Sequence, residues 1–278
     1  MRPDDIDFAL SLTTAEGWSY TRGELERMLR LDPDGSFLYE EDRPLAFITC
    51  VTYNKTGVVG HLVVSKEVRG RKIGNSLITT AIDYMAGRGV DSMLLYATQD
   101  GARLYLKHGF KVVREVSCIH VANEPTPPKA SLRQCSRVGK RDLRQISAID
   151  ARLFGDDRHK LIELLFDEFP DHAFKIEDGG SISGFCFGRV TDTGFDLGPW
   201  ACVTDSKGDA DSLFRAVLAS FGKGTVYLGL FPENKAAIEL VDALPRVRYW
   251  RTELMIRGAA RLGSGVDHMF GVAAFELG

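Results

Sequence analysis

The stretch Lys66-Glu67-Val68-Arg69-Gly70-Arg71-Lys72-Ile73-Gly74 carries the strongest chemical signal in the chain. It follows a nearly continuous apolar run, Gly57 to Ser65, and precedes a segment in which Ile73, Leu77, Ile78, Ala81, Ile82 and Met85 recur at helical spacing. A buried strand therefore turns into a helix here. The first turn of a helix leaves backbone N–H groups unpaired and adds the positive end of the macrodipole, which together attract an anion. Gly70 permits a sharp turn, and Gly74 lets a ligand approach the backbone. Four basic residues, Lys66, Arg69, Arg71 and Lys72, stand against the one acid Glu67. Cations oppose the dipole at this end, so folding gives no reason for them, whereas a bound phosphate does. Solvated basic residues beside a turn glycine are the plain alternative. The pattern is neither a Walker loop, which needs Gly-Lys-Ser/Thr, nor a Gly-x-Gly-x-x-Gly fingerprint.

The elements that hold this turn are legible around it. Arg22 to Leu31 reads as a helix capped by Thr21. Phe37 to Glu40, a turn at Asp42, and Leu45 to Tyr53 read as a hairpin. Gly57 to Ser65 is the central strand, its apolar run covered on both faces. After the helix, Met93 to Ala97 is a second buried strand. Ala102 to Lys107 is a short helix closed by Gly109, and Phe110 to Val121 a long last strand. The heptad Asn123-Glu124-Pro125-Thr126-Pro127-Pro128-Lys129 suits a stiff linker, because proline disfavours helix and sheet alike. The expected units are therefore residues 1–122, a linker at 123–129, and residues 130–278. The second half repeats the order: strand Phe195 to Thr204, helix Ala210 to Phe221, strand Thr225 to Phe231, helix Asn234 to Leu244, strand Val247 to Arg257. The fold class is α/β, with a central mixed β-sheet flanked by helices in each half.

Composition narrows the function. The 278 residues are 44% hydrophobic and 26% charged, the balance of a globular protein. A net charge of −3 offers nothing for nucleic acid or an anionic membrane. The five cysteines, Cys50, Cys118, Cys135, Cys186 and Cys202, stand singly among apolar neighbours, so reduced, buried thiols are expected rather than disulfides or a metal site. Met1-Arg2-Pro3-Asp4-Asp5 is acidic, with no apolar run to make a signal peptide, and no segment approaches a membrane helix. The expected location is the cytoplasm.

Two motifs now combine. Val64 followed by Arg69-Gly70-Arg71-Lys72-Ile73-Gly74 resembles the Arg/Gln-x-x-Gly-x-Gly/Ala pyrophosphate motif of the GNAT acyltransferase superfamily. Leu104-Tyr105-Leu106-Lys107-His108-Gly109-Phe110 resembles its second signature, a helix ending in Tyr-x-x-x-Gly-Phe. Glu16-Gly17-Trp18, Ala97-Thr98 with Gly101, and Arg257-Gly258 with Phe275-Glu276-Leu277-Gly278 are similar to a subgroup in which a GNAT half precedes a degenerate GNAT-like half. The chain departs from the motif at Lys72, where glycine is usual. A helical backbone is expected there, which lysine tolerates; a left-handed one costs a lysine on the order of 1 kcal/mol.

The resemblance implies acyl-coenzyme A in a cleft where the strand ending at Val64 splays from the strand ending at Ala97. Leu62, Val63 and Val64 would pair with the pantetheine, and the Val64 N–H would polarise the thioester carbonyl. Arg69, Gly70, Arg71, Lys72, Ile73, Gly74 and Asn75 would hold the pyrophosphate, and Thr98 stands where many relatives use an asparagine. Tyr105 is the candidate general acid, since an amine displacing a thiolate needs a donor near the sulfur. As an isolated residue it reads equally as a core tyrosine. No metal is implied.

No residue declares itself the base. His61 alternates to the face opposite the Val64 side chain, and Trp18 lies in a segment that often covers the acceptor; both are weak substrate candidates. In the second half, Thr204-Asp205-Ser206-Lys207-Gly208-Asp209-Ala210-Asp211 has three acids against one base, and Leu240 or Val241 replaces the tyrosine. Coenzyme A is not expected there; Asp196 and Trp200 are offered as acceptor-pocket residues. The implied activity is acetyl transfer from acetyl-coenzyme A to a primary amine of a small molecule, by direct attack in a ternary complex. A homodimer is compatible with it. A non-catalytic acyl-coenzyme A sensor and a peptide-amine acetyltransferase are the rivals.

Overall fold

The computed structural model describes every residue except 125–131, 205–206, 260–262 and 264. The three prolines of the expected linker and their neighbours, residues 125–129, thus lie outside the described residues. In chain order the elements are α1 (Ile6–Ala15), α2 (Arg22–Leu31), β1 (Ser36–Glu40), β2 (Pro44–Thr52), β3 (Thr56–Val64), α3 (Ile73–Gly87), β4 (Ser92–Ala97), α4 (Gln99–Lys107) and β5 (Lys111–Asn123). There follow β6 (Ser136–Arg137), α5 (Leu143–Phe154), α6 (His159–Glu168), β7 (Ala173–Asp178), β8 (Ser181–Thr191) and β9 (Gly194–Cys202). The chain closes with α7 (Lys207–Ser220), β10 (Gly224–Leu230), α8 (Lys235–Asp242), β11 (Arg246–Gly258) and β12 (Met269–Gly271).

The chain forms two compact units, and they are not the linear halves the sequence suggests. Among the described residues, the first holds Met1–Val113, 253–259 and Phe275–Gly278; the second holds Arg114–Thr252, 263 and 265–274. The physical reason lies at β4. One edge of β4 pairs in parallel with β3, and the other pairs antiparallel with the end of β11, from Ala97 opposite Glu253 to Ser92 opposite Gly258. Without that strand, a buried central strand would present open hydrogen-bonding groups.

In the first unit the strand order is β1-β2-β3-β4-β11. Helix α3 lays Ile73, Leu77, Ile78, Ala81, Ile82 and Met85 on one face of this sheet, against Ile48, Val59, Leu95 and Met255. The opposite face carries Phe47 and Val63 beneath Ile6, Ala9, Leu12 and Leu25 of α1 and α2. Thr21 caps α2, accepting from the Glu24 N–H while Glu24 bonds back to the Thr21 N–H at 2.7 Å. Helix α1, unread in the sequence, had its signal in the spacing of Ile6, Ala9, Leu12 and Thr13, all buried.

The second unit orders its strands β5-β10-β9-β8-β7-β6, with β12 also on β9. The parallel pair β9–β10 with α7 between repeats the β3–α3–β4 arrangement. Its core gathers Trp200, Phe214, Val217, Val226 and Leu240.

Candidate active site

Strands β3 and β4 pair from Thr56 opposite Ser92 to Val59 opposite Leu95, and then part. Past that point Gly60 to Val64 remains paired only to β2, so one edge of the strand faces a cleft. The direction of each amide follows from its neighbours. Ser65 N–H donates to Leu45 O at 2.9 Å, and His61 N–H to Thr49 Oγ1 at 3.0 Å, both toward β2. Backbone groups alternate sides along a strand, so those of Leu62 and Val64 face the cleft and those of Val63 do not. Val63 is therefore corrected: its amide belongs to the β2 ladder, and its side chain is buried against α1 and α2. Leu62 now shares with Val64 the capacity to polarise a carbonyl.

The turn after β3 departs from expectation at one position. Lys72 sits at φ 64°, in the left-handed region, as the N-cap of α3. The helical backbone expected there is wrong. Gly70 at φ 85° and Lys72 turn the chain twice, and the succession of left-handed residues aims consecutive amides outward as an anion-binding concavity. Among the described residues, the N–H groups of Gly70, Arg71, Lys72, Ile73, Gly74 and Asn75 donate to no protein acceptor. A Cβ on Gly74 would touch Leu104 Cδ2 at 3.5 Å and Val64 Cγ2 at 3.8 Å, ordinary contacts. Nothing in the protein forbids a side chain at Gly74, so glycine there serves approach from outside.

The basic side chains have protein partners that the sequence did not reveal. Arg69 donates to Glu16 Oε1 at 2.6 Å, and Lys66 lies 3.7 Å from the same oxygen. Arg71 pairs with Glu41, holding that carboxyl below its ordinary range, and Glu67 pairs with Arg43. The net positive charge of the turn is thus partly answered, and a phosphate is not the sole reason for it. Lys72 has no ion-pair partner among the described residues. Asn75 Oδ1 faces His108 Nε2 at 3.2 Å, which fixes the amide at the first turn of α3.

Tyr105 lies on α4, 8% exposed, with Phe110 edge-on at 5.9 Å. Burial pushes its hydroxyl up to about 12, so it stays a neutral donor at working pH. Among the described residues that hydroxyl has no hydrogen-bond partner. Thr98 is the N-cap of α4, its Oγ1 accepting from Gly101 N–H at 3.2 Å; this capping explains the residue without a ligand. Trp18 is half-buried on the cluster of α1 and α2, with Tyr20 edge-on at 6.2 Å.

His61 faces away from the Val64 side chain, as alternation requires, and is 2% exposed. Its Nδ1 lies 2.9 Å from Thr49 Oγ1, and its Nε2 is buried without a partner. Burial pushes its imidazole down to about 3, so it is neutral. It is not the satisfied histidine that is the commoner case.

The second unit closes the equivalent cleft with its own chain. Beyond the pairs of β9 with β10 at Phe195 and Asp196, β12 lies on β9, Met269 opposite Ala201 and Gly271 opposite Trp200. Val272 N–H also donates to Gly229 O of β10 at 3.0 Å. A strand of the protein thus covers the edge of β9 that corresponds to the cleft-facing edge of β3. Asp209 of the acidic turn is buried and binds Arg133 at 2.7 Å; Asp205 and Ser206 of that turn lie outside the described residues. Trp200 is corrected as well: it is fully buried in the core, stacked on Phe214 at 4.9 Å and tilted against Phe270 at 5.0 Å. Asp196 lies 3.5 Å from the buried Arg189, an internal ion pair.

Comparisons with known proteins place this arrangement. The acetyltransferase (GNAT) family profile matches residues 7–110, and an acetyltransferase (GNAT) domain profile matches residues 146–271. The chain belongs to the GNAT superfamily of acyltransferases, with two tandem GNAT domains, and is an N-acetyltransferase by family. The family uses acetyl-coenzyme A or another acyl-coenzyme A. It is 26% identical over 216 residues to holothin acyltransferase of Pseudoalteromonas sp. (strain SANK 73390), covering 76% of this chain and 70% of that one. It is 25% identical over 210 residues to the uncharacterized N-acetyltransferase YitH of Bacillus subtilis (strain 168), covering 72% and 70%. A putative acetyltransferase from Pyrococcus horikoshii has the same fold, with a TM-score of 0.82 at 23% identity, covering 100% of this chain and 94% of that one. A tandem GNAT protein from the clavulanic acid biosynthesis pathway aligns with a TM-score of 0.62 at 15% identity, covering 93% and 97%. No helix among the described residues is long and apolar enough to cross a membrane.

Proposed function

We propose that the first unit transfers an acyl group, acetyl in the first instance, from acyl-coenzyme A to a primary amine of a small molecule, by direct attack in a ternary complex. One observation carries the reading. A cleft-facing strand edge at Leu62 and Val64 leads directly into six amides, 70–75, that have no acceptor among the described residues. A long ligand with an amide-bearing arm and a pyrophosphate end fits that sequence of donors.

The residues then divide the work. The amides of Gly70 to Asn75 and the Lys72 ammonium hold the pyrophosphate, where the helix dipole strengthens each contact. The cleft-facing groups of Leu62 and Val64 bind the arm as an added strand and donate to the carbonyl oxygen. Tyr105, neutral and unpartnered, donates toward the departing sulfur. The thioester supplies an activated carbonyl, so the protein needs no nucleophile of its own. A small-molecule acceptor is supported by a relative named for holothin rather than for a protein. The second unit, its cleft filled by residues 269–272, takes no coenzyme A in this reading.

Isothermal titration with acetyl-coenzyme A, followed by an amine screen, is the test. One site per chain, lost when Gly74 is replaced by glutamate, supports the reading; no binding to any thioester overturns it.

A further inference from the structure

One buried acid has no role so far. Glu276 is 4% exposed, in a segment more than two hundred residues from β3 in sequence yet part of the first unit. A Cβ on Gly60 would fall 2.8 Å from the Glu276 Cβ and 3.4 Å from its Cα, so Glu276 fills the space a side chain of the strand would take. Phe275 packs on Tyr96 with ring centroids 5.1 Å apart, and Tyr53 donates its hydroxyl to Leu277 O at 2.8 Å. Gly60 and Tyr96 are the first residues beyond the last β3–β4 pair, Val59 with Leu95. The segment therefore floors the cleft at the point where its two strands part.

The groups around this floor narrow the choice of base. Tyr20 donates its hydroxyl to Glu276 Oε2 at 3.3 Å, and its ring meets His61 edge-on at 4.2 Å. His61 is a weak base, because it is buried and burial pushes its imidazole down to about 3. Thr49 Oγ1 accepts from the His61 backbone N–H, and its own proton has Nδ1 as the acceptor within reach. The buried Nε2 has no hydrogen-bond partner among the described residues. Tyr20 and Tyr96 are phenols, and the Tyr20 hydroxyl already donates to Glu276. The carboxylate of Glu276 is the remaining proton acceptor. An amine arrives as an ammonium, which a carboxylate on the cleft floor both attracts and deprotonates.

We infer that Glu276 is the general base that takes the proton of the incoming ammonium; this rests on the acyl-transfer reading above. The ammonium gives one proton to Glu276, and the freed electron pair forms the C–N bond at the thioester carbonyl carbon. The C–S bond breaks. The second surplus proton on nitrogen passes to the departing sulfur with the Tyr105 hydroxyl as relay, giving amide and thiol. Glu276 returns its proton to solvent.

The test uses the full chain, acetyl-coenzyme A and ethylamine as a surrogate acceptor small enough for any amine site, with thiol release read against the uncatalysed rate. The acetyl-coenzyme A thermal shift is the control for binding. Glu276→Gln, whose amide oxygen still accepts from Tyr20, is expected to keep the shift and to slow thiol release ~100-fold at pH 7. That deficit is expected to shrink as pH rises toward the pKa of the amine, where the base has nothing left to remove. Glu276→Asp, which keeps a carboxylate, is expected to recover part of the rate and covers the case in which Gln does not fold. An unchanged rate in Glu276→Gln overturns the inference, as does a deficit that is the same at every pH. So does a wild-type protein that binds acetyl-coenzyme A without accelerating the reaction. A wild-type protein with no thermal shift overturns the acyl-transfer reading itself.

Discussion

Arg69 Nε donates to the Val64 carbonyl oxygen at 3.1 Å, tying the basic turn at residues 66–74 to the end of the strand that lines the cleft. The same guanidinium holds Glu16 at 2.6 Å. Arg69 is thus oriented before any ligand arrives, but by a carboxylate that competes with a phosphate for it. Glu16→Gln is expected to tighten acetyl-coenzyme A binding about 2- to 5-fold, because a half-exposed ion pair is worth ~0.2–1 kcal/mol. The gain should diminish in high salt. Titration calorimetry at two salt concentrations checks both.

Lys72 adopts a backbone conformation that glycine takes without penalty. Lys72→Gly is expected to raise stability by up to ~1 kcal/mol and the melting temperature of its unit by roughly 2–4 °C. Lys72→Val should lower it, since a β-branched residue fits that region worse. Calorimetric scans of the three proteins separate backbone strain from the lysine charge, whose loss should weaken acetyl-coenzyme A binding in both variants alike.

Tyr105→Phe is expected to lower kcat for amine acylation ~100-fold while leaving acetyl-coenzyme A affinity unchanged. The raised hydroxyl, at about 12, also sets a pH signature. Its neutral form persists through the working range, so Tyr105 should contribute no loss of activity below pH 11. Its share of stability is full below pH 10 and declines as pH rises from 10 toward 12.

His61 makes the opposite prediction. Its imidazole titrates near 3 in the folded protein against 6.5 in an unfolded chain, so the folded state resists a proton that the unfolded state accepts. Stability is then full above pH 6.5 and falls as pH drops from 6.5 toward 3, by up to ~1.4 kcal/mol per pH unit. His61→Gln should flatten this acid limb in urea titrations at pH 4, 5 and 6. An unchanged slope would assign the acid sensitivity to other groups.

In the second unit β12 fills the cleft beside β9. A Cβ on Gly198 would overlap the Val272 carbonyl that follows β12. Gly198→Ala should therefore cost at least ~2 kcal/mol of stability, while acetyl-coenzyme A still binds the first unit at one site per chain. A second site of comparable affinity in the unaltered protein would show that the β12 strand yields to the ligand.

How much of this was readable in advance depends on how far apart the cooperating residues stand in the chain. Strand β3, the turn at residues 66–74 and helix α3 are contiguous, and their signals are local: an apolar run, glycines, a helical repeat. The position of the turn between strand and helix and the overall α/β order were therefore legible. The Lys72 conformation was not, since lysine has no preference for the left-handed region it adopts between β3 and α3. Tertiary structure alone decided which amides of β3 face the cleft, because the register with β2 sets it. It also decided that 253–258 completes the first sheet and that Glu276 floors the cleft. Those residues lie more than 150 positions from their partners, and no local propensity encodes a contact that chain folding must bring together. Composition could name the carboxylate; only packing against Gly60 could say where it stands.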